Sequence, residues 1–111
     1  MQKLEGITNQ IRENFDVLTK LRDQALTEAR QLTRSCSLAI RAVHRDDHSV
    51  MEGHLNDARY LANKLREELT NHPSLYFTGY TQDALKEFVE ANVTCALIRN
   101  QPLQTPDELQ V

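Results

Sequence analysis

Residues 21–45 read LRDQALTEARQLTRSCSLAIRAVHR, and this stretch decides the fold. Leu21, Ala25, Ala29, Leu32, Cys36, Ile40 and Val43 recur at three- and four-residue steps, which place them on one face of an α-helix. The same steps run back through Leu18, Phe15, Ile11 and Ile7 to Leu4, with no proline to interrupt them. The pattern predicts one helix over about 3–45, about 60 Å long at a rise of ~1.5 Å per residue. A domain of this size cannot cover so long a stripe by itself, so part of it is expected to meet another chain.

Downstream, the polar link Arg45-Asp46-Asp47-His48 precedes Ser49 and Glu52, spaced as a capping box. Met51, Leu55, Ala58, Ala62, Leu65 and Leu69 then step by three and four and predict a second helix over about 50–70. Asn71-His72-Pro73-Ser74 ends it, because proline disfavours the helical conformation in the residue before it. A third helix is predicted over about 75–99, with Gly79 a weak point near its start. Ala84, Phe88, Ala91, Cys95 and Ile98 share one side of it, while Leu85, Val89, Val93 and Ala96 spread the apolar surface to about half the circumference. Such a helix suits a place with neighbours on two sides. Near the end, Thr105-Pro106-Asp107-Glu108 has the form of a helix start: N-cap threonine, proline at the first position, acids in the first turn. The expected fold is all-α, residues 1–111 forming one helical domain that oligomerises, and the start of a fourth helix suggests the N-terminal half of a larger fold.

Composition agrees. Glycine and proline number three each, with every proline after residue 72, too little turn punctuation for a sheet. The 40% apolar share contains no run near the ~20 residues that span a bilayer. MQKLEGITNQ at the start has no signal-peptide character, and Cys36 and Cys95 fall within helical patterns. A cytoplasmic protein with reduced, packed thiols and no membrane partner is expected. The net charge of −3 is uneven: residues 27–45 carry four arginines against the single acid Glu28, and the remainder of the chain after 45 is acidic. Overall charge therefore argues against general nucleic-acid affinity, while a local basic face stays open.

Two clusters carry candidate chemistry. Glu87 and Glu90, three apart on the third helix with Asp83 one turn earlier, project their carboxylates from one arc. Like charges so placed disfavour the helix by roughly 0.2–0.5 kcal/mol per pair. Oxygen ligands gathered this way suit Mg²⁺ or Mn²⁺, though an ordinary solvated acidic face has the same pattern. Arg30, Arg34, Arg41 and Arg45 lie nearly opposite the apolar stripe of the first helix, where they could track a phosphate backbone or be simply solvated. Weaker patterns are His44 and His48, whose spacing fits zinc only on one continuous helix, and Arg41…His48 and Arg66…His72, which match an arginine–histidine spacing of some helical ribonucleases.

Glu87-Phe88-Val89-Glu90-Ala91 resembles the E-[FY]-[VI]-E-A signature of the translin family, in particular translin-associated factor X and its archaeal relatives. Ala29-Arg30-Gln31-Leu32-Thr33-Arg34 through Ala39-Ile40-Arg41-Ala42-Val43-His44-Arg45 is similar to that family's first-helix pattern ending in His-Arg, and Leu103-Gln104-Thr105-Pro106-Asp107-Glu108-Leu109 resembles the opening of its next helix. The resemblance covers residues 20–111. It implies an all-helical protein of a hollow octamer that binds single-stranded RNA or DNA. It also implies, for the catalytic branch, a metal-dependent endoribonuclease in which Glu87 and Glu90 are two metal-binding catalytic carboxylates and the arginines of the first helix lie in a nucleic-acid-binding region. Family members are longer, with further catalytic acids in a C-terminal half. Ala29 replaces a frequent serine and Asp83 has no counterpart in the signature. The expected function is a Mg²⁺-dependent (or Mn²⁺-dependent) endoribonuclease when completed by a C-terminal half. The alternatives are a non-catalytic single-strand binder or a structural helical oligomeriser.

Overall fold

The computed structural model describes residues 2–99 and 105–110, and among these all regular structure is helical. Helix α1 spans Gln2–His44, α2 His48–Leu69, α3 Pro73–Tyr76 and α4 Gly79–Ile98. The unbroken apolar stripe gives α1 its 43 residues, and the molecule measures 68 × 23 × 18 Å, the long dimension being that of one helix. No helix among the described residues is long and apolar enough to cross a membrane.

The second half of α1 is the centre of the bundle, packed against both α2 and α4, which touch each other less. Helix α2 folds back antiparallel, so that Met51 packs with Val43 near the turn and Leu69 joins Ala25 at the far end. Helix α4 returns alongside α1 in the same direction, Ala84 near Ala29 and Cys95 near Ala39 and Ala42. Alanines at 25, 29, 39, 42, 58, 62, 84 and 91 are all buried, and these small side chains bring the three helices close. Phe88 and Leu32 supply much of the remaining volume, with the Arg59 guanidinium 5.8 Å from the Phe88 ring centre. The first half of α1 projects beyond the bundle, and Leu4, Ile7, Ile11, Phe15 and Leu18 are exposed along it, Phe15 by 67%.

Three local expectations are corrected. The N-cap of α2 is Asp47, whose Oδ1 accepts from the Val50 N–H at 3.3 Å, so Ser49 lies inside the first turn and no Ser49–Glu52 box forms. Asp46, at φ 60°, takes the left-handed turn that ends α1, a conformation aspartate tolerates better than most residues. Glu52 is paired instead with Arg99 at the end of α4. The helix expected over 75–99 is two: Thr78 is extended between α3 and α4, and Gly79 begins the longer one. Side chains of α4 hold the joint, the Thr81 hydroxyl donating to the Leu75 carbonyl at 3.1 Å and the Gln82 amide to the Tyr76 carbonyl at 2.8 Å. At 105–110 the expected cap does form, Thr105 Oγ1 accepting from the Glu108 N–H at 3.2 Å, but the described residues make a single turn. Its Leu109 is buried in the core, and Arg66 Nη2 donates to the Leu109 carbonyl at 2.9 Å.

Candidate nucleic-acid and metal site

Helix α4 alternates what it buries with what it presents. Phe88 and Ala91 lie in the core, Glu90 is exposed and Glu87 is half-buried at the flank that meets α1. Glu87 sits near Cys36: burial first, and then the Glu87 charge and Cys95, push the Cys36 thiol up to about 12. Burial also raises Cys95. Both thiols are free and buried, and they pack among core side chains.

One turn before Glu87, Asp83 lines a shallow depression of about 320 Å³ with Arg30, Thr33 and Tyr80. This groove between α1 and α4 brings the first arginine of the basic stripe to the acidic arc. Arg34 belongs to a different groove, between α1 and α2. Arg30, Arg34 and Arg41 therefore form the outer crest of α1 with a groove on either side, while Arg45, expected on the same helix, lies in the turn just after it because α1 ends at His44. All four arginines are exposed, and none has a side-chain hydrogen bond or ion pair among the described residues.

A divalent cation must be judged against these donors. Among the described residues no three of His, Cys, Asp and Glu gather into a site, so Glu87 and Glu90 offer two carboxylates and no closed cage. One or two carboxylates with water and phosphate oxygens to complete the shell are a common donor set for Mg²⁺, and these two residues supply carboxylates of that kind. The histidine pair does not fit zinc. His44 ends α1 and His48 begins α2, and His48 Nε2 lies 2.7 Å from Asp46 Oδ1. The Arg66…His72 pattern also dissolves, since Arg66 holds Leu109 and Asn63 and His72 caps α3.

The α1–α2 groove contains His54, Asp57 and Tyr60, none of which drew notice in the sequence. Each is unremarkable on α2 alone, and only the antiparallel pairing brings them to Arg34. No protein-family model, characterised protein or solved structure matches this chain.

Proposed function

We propose that this chain is the N-terminal half of a translin-type protein, a Mg²⁺-dependent endoribonuclease acting on single-stranded RNA or DNA. The observation that carries the reading is the presentation of the Glu87-Phe88-Val89-Glu90-Ala91 element: its phenylalanine and alanine fill the core while Glu90 is exposed and Glu87 half-buried, beside a helix crested by Arg30, Arg34 and Arg41, with Arg45 in the turn after it, none of them paired among the described residues. Glu87 and Glu90 would hold the cation, which when bound supplies an activated water and stabilises charge developing on the scissile phosphate. Arg30, Arg34, Arg41 and Arg45 contact backbone phosphates, and their guanidinium forks can bond phosphate oxygens in pairs. The exposed apolar first half of α1 supports self-association, the translin type being an octamer. The resemblance implies further acids in a C-terminal half.

The test is Glu87→Gln and Glu90→Gln in the protein complete with that half. Loss of Mg²⁺-dependent cleavage with circular dichroism unchanged is expected; full cleavage by the double variant overturns the assignment. A second reading, a single-strand binder without catalysis, is favoured by the gathering of only two carboxylates among the described residues. It predicts salt-sensitive binding that persists in EDTA, and no cleavage by the completed protein.

A further inference from the structure

The groove between α1 and α2 holds polar side chains to which the function proposed above gives no work. Arg34 and Ser35 come from one wall, His54, Asp57 and Tyr60 from the other, around a depression of about 400 Å³. Leu38 and Leu61, both half-buried, add an apolar surface between these walls. The residues fall into register because Arg34 and Leu38 are one turn apart on α1, as are Asp57 and Leu61 on α2. Small-ligand sites run from about 300 to 1,000 Å³ and combine an apolar surface with a few convergent polar groups.

The polar groups are unengaged. The side chains of Arg34, His54 and Asp57 make no hydrogen bond or ion pair among the described residues, while Lys64, Arg66 and Arg99 are all held by partners. Arg34 and Asp57 thus bring opposite charges to one groove without closing a pair. Tyr60 is 66% exposed, which leaves a face of its ring open at the groove.

Each group matches one part of a nucleotide. A guanidinium fork takes phosphate oxygens, with the His54 ring nearby as a second donor. An exposed aromatic ring stacks on any base. A carboxylate accepts hydrogen bonds only, and among the parts of a nucleic-acid strand the ribose 2′-hydroxyl is the donor that RNA has and DNA lacks. The geometry points to a ribonucleotide subsite in the α1–α2 groove, with Arg34 on the phosphate, Tyr60 on the base and Asp57 on the 2′-hydroxyl. It rests on the nucleic-acid reading above and adds to it a preference for RNA, set by Asp57 and independent of Glu87 and Glu90.

The test is fluorescence anisotropy in EDTA with a short single-stranded RNA and the DNA of the same sequence. Asp57 and Tyr60 are exposed, so substitution leaves the core intact. Wild type should prefer RNA. Asp57→Asn should lower the RNA-to-DNA affinity ratio about tenfold, the scale of one hydrogen bond to a charged group. Tyr60→Ala should weaken both ligands about tenfold, as loss of one stacked base does. An unchanged ratio in Asp57→Asn with undiminished binding by Tyr60→Ala overturns the subsite while leaving nucleic-acid binding to the crest arginines. Failure of the wild type to bind either strand overturns the nucleic-acid reading and the subsite together.

Discussion

The Glu28 carboxylate, buried between α1 and α2, lies 3.3 Å from the Lys64 ammonium. Gln24 donates to Glu28 Oε1 at 3.2 Å and to Glu68 Oε1 at 3.1 Å, so one amide ties the two carboxyl groups together. The second oxygen of each, Glu28 Oε2 and Glu68 Oε2, is shut off from solvent with no hydrogen-bond partner. A proton resolves this. Burial, then the hydrogen bond to Glu28 and its charge, raise Glu68 to about 7, while Lys64 opposes the shift.

The consequence for stability has a definite sign. The folded state holds this proton more tightly than the unfolded chain, whose carboxyl titrates near 4.5, so the contribution is complete below that pH and is lost as pH rises through about 7. Glu68→Gln keeps the shape and removes the charge. Urea unfolding should find it close to wild type at pH 5 and more stable by about 1–2 kcal/mol at pH 8, the scale of one unsatisfied buried polar group. A wild-type-to-variant difference that does not change with pH contradicts the shared proton.

The start of α2 offers a contest between two capping residues. Asp47→Ala should cost about 1 kcal/mol, since its carboxylate accepts from the Val50 N–H. Ser49→Ala, inside the first turn, should cost a few tenths at most because alanine is the better helix former. Thermal melts of the two variants decide it; a larger loss at Ser49 would restore the capping box.

Core packing predicts a large effect at Phe88, a residue of α4 that is 1% exposed in the core it shares with α1 and α2. Phe88→Ala should cost about 3–5 kcal/mol through lost burial and the cavity left behind. Leu97→Ala, at a site 64% exposed, should change little, and chemical denaturation of both checks the contrast.

The projecting half of α1 yields a prediction about assembly. Ile11 and Phe15 are 64% and 67% exposed, and a face of five large apolar residues on one helix is a docking liability unless another chain covers it. Ile11→Asp with Phe15→Asp should shift sedimentation toward monomer while helix content is retained. An unchanged sedimentation profile would contradict self-association through this arm.

Legibility in the sequence followed the range of the interactions. The bounds of α1 and α2 came within about two residues because their apolar steps are continuous and local. The break at Thr78 was hidden: Leu75, Tyr76 and Tyr80 keep the apolar steps going across it, and the bonds that hold the joint, Thr81 to Leu75 and Gln82 to Tyr76, span six residues. Asp47 and Ser49 are both good caps, and only the turn at Asp46 selects between them. Glu87, Glu90, Arg30, Arg34 and Arg41 could be placed on their helix faces from spacing, whereas Arg45 falls in the turn after α1. The α1–α2 groove could not, because no periodicity within α2 says that His54, Asp57 and Tyr60 will face Arg34. The same limit hid the Glu28–Lys64–Glu68 cluster, which needs two helices in register.

Cleavage of a short single-stranded RNA, in Mg²⁺ and in EDTA, by the chain alone and by the chain joined to a C-terminal half, tests the central claim most directly. On the proposal that Glu87 and Glu90 provide part of a cation site, cleavage should appear only in Mg²⁺ and only in the joined protein. RNA binding with no cleavage in either form would contradict it and make the two glutamates an ordinary solvated face.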